Sequence, residues 1–203
     1  GLLVYGIPGF KLEKDVVERR IKRLEDSGIA FKFNTRVGET VSLATLREEH
    51  DTVLIATGVY QAKDLKCPGS GNEGVFPALE YLTASNRKNF SDAVPAYDDG
   101  TLNADGKRVV VIGGGDTAMD CVRTAIRQGA KSVTCLYRRD RANMPGSQRE
   151  VANAEEEGVT FEWLASPEAI LDTKAGKLKA VRASRMKLGE PDASGRQSPV
   201  RTG

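Results

Sequence analysis

The first part of the chain alternates between helical and strand-like spacings of apolar residues. Val17, Ile21 and Leu24 are spaced i, i+4, i+7 among charged residues, and this spacing predicts an amphipathic helix over 15–25. Similar patterns predict four shorter elements: helices over 42–49 and 77–84, and strands over 29–34 and 51–58. The last of these is apolar on both faces, as is typical of a buried parallel strand.

Two polar, turn-rich stretches lie on either side of the predicted helix over 77–84. Residues 59–74 contain one proline and three glycines, which predicts a connection between two structural units. Residues 86–106 contain Pro95 and several Asp and Gly residues, and they predict a long loop of a kind that is uncommon inside a compact domain. We therefore expect two domains, one over 1–75 and one over 76–203.

The second domain contains the most regular pattern of the sequence. An apolar strand over 108–112 leads at once into Gly113-Gly-Gly-Asp-Thr-Ala118, and a second apolar strand lies over 131–137. The intervening segment, which Gly129 ends, carries its small and apolar residues on one helical face: Ala118, Cys121, Val122, Ala125 and Ile126. A strand, a glycine turn, a helix and a strand within about thirty residues form a βαβ unit. We predict an α/β, Rossmann-like fold with a parallel sheet and flanking helices.

The C-terminal part of this domain predicts further elements. Ser147 and Glu150 have the spacing of a capping box, which predicts a helix running to Glu157 and a strand over 159–164. The adjacent carboxylates 155–157 are interpreted as a solvated helix face rather than a metal site. Residues 177–188 predict a hairpin arm, and 189–195 predict a turn.

The glycine turn carries chemistry because its spacing is that of a G-x-G-x-x-A dinucleotide fingerprint. Gly113 allows a tight turn, Gly115 allows the backbone to approach a pyrophosphate, and Ala118 allows the helix to pack closely on the strand. The helix N-terminus then presents N–H groups to the phosphates. The candidate cofactor-binding residues in this turn are Gly113, Gly114, Gly115, Asp116, Thr117 and Ala118.

The choice between NADP(H) and NAD depends on the end of the second strand. A site for NAD places a carboxylate there to bind the ribose 2′-hydroxyl. Here Arg138 and Arg139 follow the strand instead, and two guanidinium groups suit a 2′-phosphate. Asp140 is the alternative acid, but we expect the flanking arginines to pair with it. A solvated surface loop is the other interpretation. We predict NADP(H), with Arg138 the more important arginine because it comes first after the strand.

Composition limits the remaining functions. The chain has 203 residues, a net charge of +2 and 39% hydrophobic residues, which is ordinary for a globular protein and gives no indication of a nucleic-acid partner. No apolar run approaches the roughly 18 residues that span a bilayer, and the N-terminus does not have the pattern of a secretory signal peptide. The chain does not begin with methionine and stops just after a strand-and-turn pattern, so we expect a piece of a longer protein.

The thiols and the single histidine add no candidate chemistry. Cys67, Cys121 and Cys135 form no C-x-x-C pair, so no disulfide framework, metal site or iron–sulfur ligand set is expected in this chain. His50 lies in a polar stretch and is interpreted as a surface residue. A reducing, cytoplasmic location is the expectation from this cysteine usage.

Several motifs together resemble the family of small (beta) subunits of NADPH-dependent glutamate synthase. They include the run Gly113–Cys121, Tyr137-Arg-Arg139, Ala142–Gly146 and Ala154–Gly158, and the opening Gly1–Lys11 and the segment Leu188–Arg196 are similar as well. Ile55-Ala-Thr-Gly58 resembles the second conserved motif of two-dinucleotide-binding flavoproteins, which lies in the FAD domain. The resemblance therefore adds Thr57 and Gly58 as candidate cofactor-binding residues.

The resemblance implies both a function and a truncation. NADPH passes a hydride to FAD, and electrons then reach the large (alpha) subunit through iron–sulfur clusters, for glutamate synthesis from glutamine and 2-oxoglutarate. Orientation suffices for the hydride step, so we name no catalytic acid or base. The family's N-terminal cluster cysteines, its first G-x-G-x-x-G and its C-terminal flavin segment are missing. Residues 1–75 are thus expected to be a partial FAD-domain remnant, 76–203 the NADPH domain, and the isolated chain inactive and unable to hold FAD tightly.

Three functions remain open from the sequence. The first is the glutamate synthase small subunit. The second is the same module in a related flavin and iron–sulfur oxidoreductase, of the ferredoxin-NADP reductase-like, pyrimidine-reducing or sulfide dehydrogenase type. The third is a non-catalytic NADP-binding module. A thioredoxin reductase-like enzyme is disfavoured because its redox C-x-x-C is missing.

Overall fold

A computed structural model describes residues 1–58, 61–62, 64–173 and 177–202. The chain divides into two compact units, one formed by Gly1–Lys14 with Asp64–Gly203 and the other by Asp15–Lys63. Part of the connection predicted over 59–74, namely residues 59, 60 and 63, lies outside the described residues, as do 174–176 and 203. The assignment of 1–75 to a FAD-domain remnant and of 76–203 to an NADPH domain stays a prediction.

The described residues form helices and strands, and the strands make two three-stranded sheets. In chain order the elements are a π-helical turn at Leu2–Gly6, α1 (Lys14–Asp26), α2 (Leu43–Glu49), α3 (Ala78–Asn89), α4 (Pro95–Asp98), β1 (Arg108–Ile112), α5 (Asp116–Arg127), β2 (Ser132–Tyr137), α6 (Gln148–Glu156), β3 (Thr160–Trp163), β4 (Ala165–Asp172), β5 (Leu178–Pro191) and β6 (Gln197–Arg201). No helix in the described part of the chain has the length and apolarity needed to cross a membrane.

The larger unit is built on a parallel sheet in the order β1-β2-β3. Arg108 pairs with Ser132, and Thr134 pairs with Thr160, so all three strands run in the same direction. Side chains from α5, β2 and α6 form the centre of the core. The largest fully buried side chains of these three elements are Met119, Val122, Val133, Cys135 and Val151. The predicted strand over 108–112, the helix after the glycine turn and the following strand are all confirmed.

A second, antiparallel sheet in the order β4-β5-β6 follows the parallel sheet. The predicted hairpin arm over 177–188 is confirmed as part of β5, which pairs with β4 on one side and β6 on the other. The turn predicted over 189–195 begins later than expected, because β5 continues to Pro191. Asp192 closes the shorter turn, where its Oδ1 accepts hydrogen bonds from the backbone N–H of Ser194 and Arg196.

The helix predictions hold in the smaller unit, but both strand predictions are wrong. Helix α2 begins after Ser42, whose Oγ accepts a hydrogen bond from the Thr45 N–H at 2.9 Å. The segments 29–34 and 51–58 form no strand, and Leu54 and Ile55 are 87% and 71% exposed. A buried parallel strand needs neighbouring strands. Among the described residues of this unit, one isolated bridge between Val37 and Val41 is the only strand-type pairing.

Predictions for the part of the larger unit that precedes β1 need correction in length. Helix α3 extends to Asn89 rather than 84, and α4 interrupts the loop predicted over 86–106. The longer helix is anchored by long-range contacts: Asn86 Nδ2 donates to the Tyr5 carbonyl at 2.9 Å, and Gln128 Nε2 donates to Ser85 Oγ at 2.9 Å. Neither partner lies near α3 in sequence, so helical periodicity alone did not show them.

The capping box also forms only in part. Ser147 is the N-cap of α6, but its side chain makes no capping hydrogen bond. Glu150 instead accepts a hydrogen bond from Arg123 Nη1 at 2.6 Å. The carboxylates 155–157 are not simply solvated, because Glu155 pairs with Arg141 and Glu157 pairs with Arg123 and Arg127.

Candidate functional site

The glycine turn connects the end of β1 to the start of α5. Gly113 has φ +152°, and its N–H donates to the Leu136 carbonyl of β2 at 3.1 Å. A Cβ atom at this position would lie 3.5 Å from the Cβ of Ala118. Ala118, in the first turn of α5, thus approaches the strand end closely, as the fingerprint spacing predicts.

The second and third glycines of the turn have opposite surroundings. A Cβ atom on Gly114 would lie 2.4 Å from ring atoms of Tyr137, so only glycine fits against that ring. A Cβ atom on Gly115 would have no protein atom within 4 Å. Gly115 therefore faces open space at the N-terminus of α5, which is where a dinucleotide pyrophosphate would lie.

The N-terminus of α5 presents backbone donors beside this space. The N–H groups of Ala118 and Met119 both donate to the Gly115 carbonyl, at 2.9 and 3.2 Å. Within the described residues, the N–H groups of Asp116 and Thr117 have no protein acceptor. Unpaired N–H groups and the positive end of the helix dipole favour an anion here.

The loop over 138–147 follows β2 and passes beside the glycine turn. The Gly146 N–H donates to the Gly114 carbonyl at 2.9 Å, and the Ser147 N–H donates to Asp116 Oδ1 at 3.0 Å. The Tyr137 hydroxyl donates to the Asn143 carbonyl at 3.0 Å. These three bonds join the end of β2, this loop and the start of α5.

Asp140 does not pair with its flanking arginines, contrary to expectation. Its Oδ1 accepts hydrogen bonds from both the backbone N–H and the Nδ2 of Asn143, at 2.9 and 2.8 Å. Arg141 instead binds Glu155 on α6. Asp140 thus orders the loop, and its bonds to Asn143 compete with a ribose hydroxyl for that oxygen.

The two candidate arginines differ in environment. Arg138 is exposed, whereas Arg139 is only 8% exposed. The Arg139 backbone carbonyl accepts a hydrogen bond from the Leu164 N–H, but its side-chain Nε has no partner among the described residues. A buried guanidinium nitrogen without a partner is costly, and pairing with an anion would remove that cost.

Thr57 and Gly58 belong to the smaller unit. Both are exposed, and they lie in a segment without regular secondary structure rather than at the end of a strand. Gly58 has φ +73°, a conformation that favours glycine. Their expected contact with FAD stays a prediction.

A cluster of six charged residues on α5, α6 and the N-terminal segment was missed from the sequence. We call it the α5 charge cluster; its members are Lys11, Asp120, Arg123, Arg127, Glu150 and Glu157. Lys11 Nζ binds Asp120 Oδ1 at 2.9 Å, and Arg127 Nη1 binds Glu157 Oε2 at 2.6 Å. The spacing of Arg123 and Arg127 on one helix face was the available signal, but it did not identify their partners.

Burial and pairing shift the pKa values of this cluster in opposite directions. Hydrogen bonds from Arg127 and Arg123 lower the pKa of Glu157 to about 2. Burial raises the pKa of Asp120, although Lys11 opposes that shift. The guanidinium of Arg127 also lies 3.8 Å from the ring centroid of Phe10, a cation–π contact that holds the N-terminal segment on α5.

The two buried thiols, Cys121 and Cys135, are part of the packed interior and are not reactive groups. Cys135 Sγ donates to the Gly113 carbonyl at 3.3 Å, and burial raises the pKa of Cys135 to about 12. Burial likewise raises the pKa of Cys121 to about 12. Neither thiol has the thiolate character of a nucleophile. In the part of the chain that the structure describes, no group of three or more His, Cys, Asp or Glu residues is arranged to hold a metal ion.

Comparison with known proteins supports the predicted resemblance. The chain is 65% identical over 199 residues to the putative glutamate synthase [NADPH] small chain of Cereibacter sphaeroides, covering 98% of this chain and 47% of the relative. It is 63% identical to the glutamate synthase [NADPH] small chain of Azospirillum brasilense, covering 98% of this chain and 41% of the relative. The chain therefore spans less than half the length of these relatives. The resemblance to the glutamate synthase small subunits is confirmed.

The fold class is confirmed by a solved structure. Mycobacterium tuberculosis FprA in complex with NADPH matches with a TM-score of 0.77 and 22% identity, over all of this chain and 58% of that chain. At this identity the likeness shows the fold alone, which is that of the two-dinucleotide-binding flavoproteins. The sequence-family model of the pyridine nucleotide-disulphide oxidoreductases matches residues 38–190, which is most of the sequence. The chain is therefore a member of the pyridine nucleotide-disulphide oxidoreductase family.

Proposed function

We propose that this chain is the NADPH-binding electron-input module of a glutamate synthase small subunit. In this role it holds NADPH so that a hydride passes to FAD, for glutamate synthesis from glutamine and 2-oxoglutarate. The proposal is supported by the two relatives that carry the name of that subunit and are more than 60% identical to the chain. The nucleotide-binding part of the proposal is also supported by the geometry around α5.

The glycine turn fits a dinucleotide pyrophosphate. Open space at Gly115 and the unpaired N–H groups of Asp116 and Thr117 lie at the same helix N-terminus. A pyrophosphate placed there accepts those N–H groups and interacts with the positive end of the helix dipole. These contacts are common to NADPH and NADH, so they give affinity without discrimination between the two nucleotides.

The arginines after β2 supply the discrimination. The observation that most supports NADPH is the buried Arg139, whose Nε has no partner among the described residues, next to the exposed Arg138. A 2′-phosphate would accept charge-assisted hydrogen bonds from both guanidinium groups. The 2′-hydroxyl of NADH carries no charge and gains much less from the same arginines.

The remaining parts of the proposal concern the longer protein. The nicotinamide supplies the hydride, and the chain's own residues bind and orient the nucleotide. FAD contacts at Thr57 and Gly58, iron–sulfur clusters whose ligands lie outside this chain, a large (alpha) subunit as partner and a cytoplasmic location complete the proposed assignment. The isolated chain is proposed to bind NADP(H) but to lack activity.

Nucleotide titration of the purified chain tests the proposal. The unmodified chain should bind NADPH more tightly than NADH. Arg138→Ala and Arg139→Ala should each weaken NADPH binding by about tenfold to a hundredfold, because a charge-assisted hydrogen bond contributes roughly 1.5–3 kcal/mol. NADH affinity should change little. Arg182→Ala is the matched control, since Arg182 is an exposed arginine of β5.

Three results would contradict the proposal or a part of it. Equal loss of NADH and NADPH affinity in both arginine variants would show that the arginines are structural and not selective. Failure of the unmodified chain to bind either nucleotide would remove the nucleotide site itself. Binding without any preference for NADPH would leave a dinucleotide site but reject the assignment to NADP(H).

A further inference from the structure

The 138–147 loop carries the two selectivity arginines at its start and is fastened to the glycine turn at its end. The Gly146 N–H donates to the Gly114 carbonyl, and the Ser147 N–H donates to Asp116 Oδ1. The part of the site that would bind a pyrophosphate is thus bonded directly to the loop that would bind a 2′-phosphate.

Gly146 makes one of these contacts possible by its lack of a side chain. It is buried, and a Cβ atom on it would lie 3.1 Å from the Gly114 carbonyl oxygen and 3.4 Å from the Gly115 carbonyl carbon. Both neighbours are backbone atoms of the turn, which cannot rotate away as a flexible side chain can. A methyl group at Gly146 therefore requires the loop and the glycine turn to move apart by a few tenths of an ångström.

Asp116 makes the other contact with its carboxylate. A negative charge at the first position of α5 is favourable for the helix dipole but repels a pyrophosphate. Its Oδ1 is instead occupied by the Ser147 N–H at 3.0 Å. The side chain is thereby directed to the loop, and the middle of the loop is ordered separately by Asp140 and Asn143.

We propose that Asp116 and Gly146 are positioning residues that set the preference for NADPH over NADH. They do so by holding the 138–147 loop on the glycine turn, so that Arg138 and Arg139 reach the 2′-phosphate. This inference rests on the proposed function. NADPH and NADH share the pyrophosphate and differ at the 2′ position, so the positioning effect is measured by the ratio of their dissociation constants.

The experiment compares Asp116→Ala, Asp116→Asn and Gly146→Ala with the unmodified chain, by titration of each with NADPH and NADH. Asp116→Ala removes both the charge and the acceptor, whereas Asp116→Asn removes the charge and keeps an acceptor oxygen for Ser147. Loss of negative charge near the pyrophosphate changes both affinities together and cancels in the ratio. Because Asp116 is exposed, its variants retain the fold, which circular dichroism checks.

The expected result is a drop of about threefold to tenfold in the selectivity ratio for Asp116→Ala and Gly146→Ala, the range for loss of one hydrogen bond. Asp116→Asn should retain the ratio within about twofold. An unchanged ratio in Asp116→Ala would overturn the inference, and so would an equal drop in Asp116→Asn. If the unmodified chain shows no preference for NADPH, the proposed function fails instead, so the two failures are distinguishable. Should Gly146→Ala not fold, the pair of Asp116 variants decides alone.

Discussion

Arg123 donates through both Nε and Nη2 to Glu157 Oε1, at 3.0 and 2.7 Å, and thereby joins α5 to the end of α6. Its Nη1 binds Glu150 at the start of the same helix, so one guanidinium contacts both ends of α6. The side chain of Arg123 is 10% exposed. The α5 charge cluster therefore contains a largely buried arginine whose two carboxylate partners were both separated from it by more than twenty residues.

Replacement of Arg123 by alanine should destabilise the larger unit strongly. Glu150 and Glu157 would each lose a partner in a partly buried position, and loss of one member of a buried ion pair typically costs about 3–5 kcal/mol. We expect a decrease of about 3 kcal/mol in the free energy of unfolding, measured by urea denaturation. Arg182→Ala is the control, because the Arg182–Glu168 pair is exposed and such pairs contribute at most about 1 kcal/mol. Equal effects of the two substitutions would contradict the importance of the cluster.

The lowered pKa of Glu157 predicts that its contribution depends on pH. The ordinary pKa of the carboxyl is 4.5, and Arg127 and Arg123 lower it to about 2 in the folded chain. As pH falls below 4.5 the unfolded chain takes up the proton first, so the stabilisation is fully present above 4.5 and is lost as pH approaches 2. The difference in unfolding free energy between the unmodified chain and Glu157→Gln should therefore be largest near neutral pH and shrink by pH 3. A difference that stays constant between pH 7 and pH 3 would be inconsistent with this shift.

Substitution of Gly114 and Gly115 by alanine should change the stability of the fold to different extents. Gly114→Ala places a methyl group 2.4 Å from the Tyr137 ring, which is itself buried, and overpacking of this kind costs about 1–3 kcal/mol. Gly115→Ala places its methyl group in open space and should cost less than about 1 kcal/mol, the loss of a favourable N-cap residue. Thermal or urea unfolding of both variants measures the contrast. Comparable stability losses would mean that the packing of Tyr137 on Gly114 is not what requires glycine there.

Nucleotide affinity should depend on Gly115 even though the stability of the fold depends on it little. Its methyl group would occupy the space assigned to the pyrophosphate, so Gly115→Ala should weaken NADPH and NADH together by roughly tenfold, equivalent to about 1.4 kcal/mol. A loss confined to NADPH would contradict this placement, because the two nucleotides have the same pyrophosphate. Arg138→Ala in the same titration provides the opposite pattern, a loss for NADPH alone.

Local sequence patterns predicted secondary structure correctly where the elements that pack together are also adjacent in the sequence. In the βαβ unit the partner strands and the helix between them occupy one continuous segment, so periodicity and the glycine spacing predicted β1, α5 and β2. The apolar run 51–58 resembles β1 in composition but has no paired strand among the described residues of its unit, and apolarity alone does not form a ladder. Whether residues 51–58 form a strand depends on neighbouring strands, which the local pattern of apolar residues does not reveal.

The spacing of glycines likewise predicts a nucleotide site only where the glycines lie between a strand and a helix. Gly69-Ser-Gly-Asn-Glu-Gly74 has the literal G-x-G-x-x-G spacing, yet it lies in turns rather than between a strand and a helix. Gly69 instead packs against β4, where a Cβ atom would lie 2.1 Å from the Ile170 carbonyl oxygen. The α5 charge cluster was beyond sequence reasoning for a related reason, because its ion pairs join segments whose proximity is decided by tertiary packing.

The three thiols should differ in reactivity because only one of them is accessible. Cys67 is partly exposed, whereas Cys121 and Cys135 are buried and burial raises both of their pKa values to about 12. A thiol reacts as the thiolate, so at pH 8 the two buried groups are protonated as well as shielded. A chromogenic disulfide reagent should therefore modify one thiol per native chain quickly and all three after denaturation in urea. Cys67→Ser should abolish the fast phase and leave the slow one, whose rate then reports unfolding of the larger unit. Rapid labelling of Cys135 in the native chain would show instead that the Gly113 turn, whose carbonyl accepts its Sγ hydrogen bond, opens readily.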